Sequence, residues 1–180
     1  MAVSSSYHAY MHQEVFDSLG LSIPVELVPF QDCSAATMYV DWNIANTIYC
    51  KAKDWRFPMS PSEHDRFVYN LYHEYMHVLQ QQQGFAKNLT EIKSDSPHSN
   101  YSSLNKAEEE AEAFALIMTG GVGCTKMYWW NCAHKVRWVF KMHKILESTY
   151  LIHLPEPLWA EQKYQEYLSY NTPPSFPVFK

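Results

Sequence analysis

Two histidines spaced four residues apart, His73 and His77, are the residues of this 180-residue sequence with the clearest chemical potential. Glu74 follows the first of them, so the segment has the pattern His-Glu-x-x-His, or HExxH. On an α-helix, residues four apart lie on one face, and both imidazoles can therefore bind the same metal ion. Glu74 would lie beside that ion, where its carboxylate can accept a proton from a water molecule. The pattern predicts a zinc centre with a glutamate general base.

The same pattern has simpler explanations that the rest of the sequence must outweigh. The chain contains nine histidines, so a short spacing of this kind can arise by chance. Two histidines on a buried helix can also be core residues whose ring nitrogens bond to other protein groups. A catalytic zinc ion needs a third protein ligand and an open position, so a catalytic site requires a third ligand elsewhere in the chain.

The residues around the motif predict a long amphipathic helix. Ser60 suits the N-cap, Pro61 the first helical position, and Glu63 the partner position of a capping box. Gly84 follows the run and suits a C-terminal cap. Apolar residues recur at helical spacing and predict a buried face, made by Val68, Leu71, Tyr72, Tyr75 and Leu79.

A second, acidic helix is predicted to begin after Asn105. Glu108 and Glu112 are four residues apart and share a face, so one carboxylate can bind the metal while the other accepts a hydrogen bond from a ligand histidine. Glu109 is the next candidate ligand, and Glu110 is expected to face solvent. Alternatively, the acidic residues only stabilise the helix start, through a capping box with Asn105 and the helix dipole. A stripe of small residues would let this helix pack closely on the HExxH helix: Ala107, Ala111 and Ala115.

Together the two motifs resemble those of the gluzincin branch of zinc metallopeptidases. Residues 108–115 are similar to the third-ligand helix of the CAAX-type metalloproteases and of the ImmA/IrrE repressor-cleaving proteases. Residues 77–81, His-Val-Leu-Gln-Gln, also resemble the HVxQQ sequence that ends the HExxH motif in small zincin domains associated with contractile injection systems. The resemblance covers roughly residues 35 to 120. It implies that Glu108 is the third zinc ligand and that Glu112 supports a ligand histidine.

The fold implied by this resemblance is a minimal zincin of the α+β class. In that fold a small β-sheet packs on the HExxH helix and on the helix that carries the glutamate ligand, and further helices follow. We expect one domain over residues 1–180, with its core at about 21–120. Local patterns predict a helix at 6–19, strands at 25–30, 37–42 and 47–50 (the last two a hairpin), a loop at 85–103, helices at 126–147 and 158–170, and an extended tail at 171–180.

The expected activity is hydrolysis of peptide bonds in a protein or peptide substrate. One zinc ion per chain, held by His73, His77 and Glu108, would activate a water molecule, and Glu74 would pass its proton to the leaving amine. Two alternatives remain open: a catalytically silent zincin-fold binding or regulatory module, and a peptidoglycan or other amide hydrolase. The residue that stabilises the oxyanion is not specified, and the candidates are His98, Tyr101, His134 and His143.

Composition limits the remaining possibilities. A hydrophobic content of 47% and an aromatic content of 16% are typical of a folded globule, and a net charge of −5 gives no reason to expect nucleic-acid binding. No apolar run long enough to span a membrane and no signal peptide are evident, so we expect a cytoplasmic protein.

The four cysteines form no CxxC pair. Peptide deformylases use an upstream cysteine with HExxH, but their glycine-rich and Glu-Gly-Cys motifs are absent around Cys33.

Overall fold

The computed structural model describes residues 26–30, 38–51, 60–84, 105–121 and 133–171. Within these ranges the chain has an α+β architecture. Its elements are β1 (Glu26–Phe30), β2 (Met38–Val40), β3 (Thr47–Lys51), α1 (Pro61–Gln82), α2 (Lys106–Met118), α3 (Ala133–Tyr150) and α4 (Leu158–Asn171). The predicted helix at 6–19 and loop at 85–103 lie outside the described residues, as does the tail beyond Asn171.

The three strands form one mixed sheet in the order β1-β3-β2. β2 and β3 are antiparallel, which confirms the predicted hairpin, and Tyr39 pairs with Tyr49 across them. The two rings stack with centroids 4.9 Å apart, a cross-strand contact that stabilises the pair. β1 pairs with β3 in parallel. The hairpin turn contains Asn46 with a φ of 58°, a left-handed conformation that asparagine tolerates well.

The start of α1 is formed by the capping box that the sequence predicts. The Ser60 hydroxyl accepts a hydrogen bond from the Glu63 backbone N–H, and the Glu63 carboxylate accepts one from the Ser60 backbone N–H at 2.8 Å. The helix ends at Gln82, and Gly84 follows with a φ of 74°. Four residues of the predicted apolar face are buried and Val68 is partly buried. The buried set is Leu71, Tyr72, Tyr75 and Leu79, joined by Phe67, Met76 and Val78.

α2 packs directly on α1. The predicted small-residue stripe is buried: Ala107, Ala111 and Ala115 are 7%, 0% and 0% exposed. Phe114 lies against α1, with its ring stacked on Tyr75 at a centroid distance of 6.4 Å. Because small side chains let two backbones approach closely, this interface can bring polar groups of both helices within bonding distance of each other.

Glutamines at the end of α1 fix the β-hairpin to the helix. The Gln81 amide nitrogen donates to the carbonyl of Trp42 at 2.9 Å and lies 3.3 Å from the carbonyl oxygens of Asp41 and Ile44. The Gln82 amide nitrogen donates to the Asn46 side chain at 2.6 Å. The hairpin turn is therefore held next to the last turns of α1.

The helix predicted at 126–147 corresponds to α3, which packs into the core. It begins at Ala133 and ends at Tyr150, three residues beyond the predicted end; the predicted part at 126–132 lies outside the described residues. Its buried residues include Val136, Trp138, Val139, Met142 and Leu146, whereas Arg137, Lys141 and Lys144 are exposed. In the described ranges no helix has an apolar stretch long enough to cross a bilayer.

The turn after α2 gives a test of how α4 packs against it. Gly120 and Gly121 have positive φ angles, 60° and 78°. A Cβ at Gly121 would lie 2.5 Å from the Trp159 ring of α4, whereas one at Gly120 would meet nothing within 4 Å. Both alanine variants strain the backbone by about 1 kcal/mol. Gly121→Ala adds an overlap with the ring that costs about 1–3 kcal/mol more.

Urea unfolding at constant metal content should therefore rank Gly121→Ala well below Gly120→Ala in stability. Equal free energies of unfolding for the two variants would show that Trp159 does not cover this turn.

Candidate metal centre

Three side-chain atoms from two helices converge on one point. Nε2 of His73 and Nε2 of His77 are 3.2 Å apart on α1. Oε2 of Glu108, on α2, lies 3.1 Å from the first nitrogen and 3.4 Å from the second. Within the described residues, the only group of three or more metal-ligating side chains is this one. The structure thus brings together the three residues that the sequence predicts as ligands.

The triangle of donor atoms fits a tetrahedral metal ion. Zinc binds imidazole nitrogen and carboxylate oxygen at about 2.0–2.2 Å, so two ligands of a regular tetrahedron are about 3.3–3.6 Å apart. The observed separations of 3.1, 3.2 and 3.4 Å are close to this spacing. Two imidazoles and one carboxylate are also a donor set used for catalytic zinc. The residues present therefore fit a bound divalent cation.

Because this cluster is buried, it is energetically unfavourable unless a positive charge lies at its centre. His73 and His77 are each 6% exposed. Glu108 Oε2 is buried and, despite its proximity to both rings, makes no hydrogen bond of good geometry in the described part of the chain. A buried carboxylate oxygen without a well-placed donor is unfavourable, and a cation would satisfy it.

Without a metal, a proton supplies that positive charge. Burial lowers the pKa of His73, but its contacts with Glu108 and Glu112 and the charge of Glu74 outweigh burial and raise this pKa to about 10. Burial raises the pKa of Glu108, but the adjacent His73 and His77 rings outweigh it and lower this pKa to about 2. A metal ion and a proton therefore compete for the same three atoms.

Glu112 lies where the sequence predicts it, beside a ligand histidine. Its Oε1 is 3.1 Å from Nδ1 of His73, on the side of the ring away from Glu108. The Tyr69 hydroxyl donates to Oε2 of Glu112 at 3.0 Å. A carboxylate on Nδ1 orients the imidazole so that Nε2 points at the metal position.

The capping-box alternative for the acidic run holds only in part. The Asn105 side chain accepts a hydrogen bond from the Glu108 backbone N–H at 2.9 Å, so Asn105 is the N-cap of α2. The Glu108 carboxylate lies at the two imidazoles. Glu109, the second candidate ligand, accepts a hydrogen bond from the Trp138 indole at 2.8 Å and so contacts α3.

The expectation that Glu110 faces solvent is wrong. Glu110 is 5% exposed, and its Oε2 accepts hydrogen bonds from the Gln80 amide at 3.1 Å and from the Tyr150 hydroxyl at 2.6 Å. Gln80 in turn contacts His77. Gln80 could have been identified from its position three residues after His77, which places it on the same helical face. Tyr150, forty residues after Glu110, carries no local signal of this contact.

The other residues predicted for the site are the general base Glu74 and the oxyanion candidates. Glu74 is partly exposed and does not belong to the ligand group. His143 is buried, and its Nε2 lies 3.3 Å from the Leu154 carbonyl oxygen, with which it can bond. The remaining oxyanion candidates fall outside the described side chains, as does Cys33: they are His98, Tyr101 and His134.

Comparison with known proteins adds no relative: no family model, curated protein or solved structure matches the chain. The site is therefore characterised by its own geometry and chemistry.

The acidic residues of α2 allow a graded test of this centre. Glu108→Ala removes a donor atom and should abolish most zinc affinity, whereas Glu112→Ala removes the support of His73 and should weaken it by about 10- to 100-fold. Glu109→Ala is the matched control, because it removes a neighbouring carboxylate that contacts Trp138 and not the histidines.

Zinc dissociation constants can be measured by competition with a chromogenic chelator, on variants whose folding is checked by circular dichroism. If Glu109→Ala lost more affinity than Glu108→Ala, the ligand would be misassigned.

Proposed function

We propose that this chain is a zinc-dependent metallopeptidase that uses Glu74 as its general base. The observation that carries the proposal is the convergence of His73, His77 and Glu108 within 3.4 Å, combined with a glutamate directly after the first histidine. A purely structural metal site has no need of a carboxylate at that position.

The donor set favours zinc and leaves it reactive. Imidazole nitrogen suits zinc well, and three protein ligands leave one tetrahedral position for a water molecule or a substrate. Two neutral imidazoles and one carboxylate carry a single negative charge, so a divalent cation held there keeps a net positive charge. When bound, such an ion would supply Lewis acidity towards a peptide carbonyl and would lower the pKa of a bound water molecule.

Each protein side chain has a defined part in the proposed reaction. His73, His77 and Glu108 would hold the ion, and Glu112 would keep His73 oriented. Glu74 takes a proton from the attacking water, whose oxygen adds to the carbonyl carbon. It then gives that proton to the amine nitrogen as the C–N bond breaks. Glu74 is partly exposed, which is compatible with a base that meets an incoming water molecule.

Glu74→Gln separates metal binding from hydrolysis. The amide is close in size to the carboxylate but cannot accept a proton, so the variant should retain one zinc ion per chain and lose at least about 100-fold in activity. Asp65→Asn makes the same chemical change at an exposed position of α1 and should cleave at the wild-type rate.

A proteome-derived peptide library read by mass spectrometry supplies substrates for both variants and for the chelator-treated wild type. Cleavage by Glu74→Gln at the wild-type rate would contradict the proposed mechanism. If the protein released products from cell walls by cleaving amide bonds and cleaved no peptides, its activity would be cell-wall amide hydrolysis and not peptide hydrolysis.

A further inference from the structure

Gln80 is a fully buried glutamine that contacts one of the candidate ligands. Its Oε1 lies 2.8 Å from Nδ1 of His77, and its side chain is 0% exposed. Its Nε2 donates to the Ala107 carbonyl at 3.0 Å and to Oε2 of Glu110 at 3.1 Å. Two of these three contacts link α1 to α2 and the third joins Gln80 to His77 within α1. Neither the metal triangle nor the proposed base uses the glutamine.

These contacts determine which way the amide points. A backbone carbonyl can only accept hydrogen bonds, so the group facing Ala107 must be the amide NH₂. The amide oxygen then has to face His77. An oxygen cannot donate, so Nδ1 of His77 must carry the hydrogen of this bond, and in the neutral ring Nε2 keeps its lone pair. Nε2 is the atom that belongs to the metal triangle.

Tyr150, the last residue of α3, contacts Glu110, one of the groups that bind Gln80. It is 5% exposed, and its hydroxyl donates to Glu110 Oε2 at 2.6 Å. Burial, with the charge of Glu110, raises the pKa of Tyr150 far above its usual value, so the hydroxyl remains a donor. The same carboxylate oxygen therefore receives one hydrogen bond from α1 and one from α3.

We propose that Gln80 is a positioning residue: supported by Ala107, Glu110 and Tyr150, it fixes His77 in the tautomer with hydrogen on Nδ1 and presents Nε2 to the metal. The inference rests on the metal site of the proposed function and does not require that the chain hydrolyses peptides. It assigns a metal-site role to Tyr150, whose hydroxyl is connected to His77 through Glu110 and Gln80.

The test reads the tautomer and the metal affinity separately. Long-range ¹H–¹⁵N spectra of the metal-free protein report which ring nitrogen of each histidine carries hydrogen. Gln80→Met keeps the side-chain length but removes the acceptor, so His77 should shift towards the form with hydrogen on Nε2. Zinc affinity should fall by about 10- to 100-fold, as is usual when the partner of a ligand histidine is lost.

Tyr150→Phe is the milder variant, because it removes a single hydroxyl and keeps the ring. It should shift His77 in the same direction and weaken zinc binding by roughly 2- to 10-fold, less than Gln80→Met, because the lost hydrogen bond acts on His77 through Glu110 and Gln80. Tyr69→Phe is the matched control for the tautomer, since that hydroxyl supports His73 through Glu112 and should leave the His77 signals unchanged.

The outcomes distinguish this inference from the proposed function. An unchanged His77 tautomer and a wild-type zinc dissociation constant in Gln80→Met would overturn the role of Gln80, whatever the chain hydrolyses. If Gln80→Met does not fold, Tyr150→Phe decides on the same two readings. A wild-type chain that binds no zinc overturns the metal site itself, and this is known before any variant is made.

Discussion

The close packing of α2 on α1 brings together the three candidate metal ligands, His73, His77 and Glu108. The two helices meet where small residues are buried on α2, including Ala111 and Ala115, and the Ala107 carbonyl lies 3.0 Å from the Gln80 amide of the facing helix. At this separation Glu108 reaches both His73 and His77. A larger side chain on the stripe would move the helices apart, and a carboxylate only slightly farther away could no longer share a cation with the imidazoles.

This packing encloses polar groups that must be satisfied inside the core. Each of the two candidate ligand histidines has its Nδ1 within 3.1 Å of a side-chain oxygen. A tyrosine hydroxyl supports each arrangement: Tyr69 through Glu112 for His73, and Tyr150 through Glu110 and Gln80 for His77. Buried hydrogen-bond networks of this kind favour a single arrangement of their side chains. If one side chain moves away, its partners are left buried without a hydrogen bond, which costs free energy. The point at which the three donor atoms meet still requires a positive charge, from a proton or from a metal ion.

The parts of this arrangement that depend on local spacing were predictable from the sequence. The capping box at Ser60, the pairing of His73 with His77 and the shared face of Glu108 and Glu112 all follow from helical periodicity. The parallel pairing of β1 with β3 and the burial of Glu110 were not predictable in this way. Both depend on segments far apart in the chain, and the hydrogen bond from Tyr150 forms only once α3 has packed on α2.

The most direct test of the metal centre is X-ray absorption spectroscopy at the zinc edge, on protein purified without added metal and quantified by elemental analysis. We expect about one zinc ion per chain, with four nitrogen or oxygen ligands at about 2.0–2.1 Å and the outer-shell scattering of two imidazoles. In His77→Ala the second imidazole signal should be lost together with most of the metal. A protein without stoichiometric metal, or one whose zinc spectrum and occupancy are unchanged by His77→Ala, would contradict the assignment of His73, His77 and Glu108 as a zinc site.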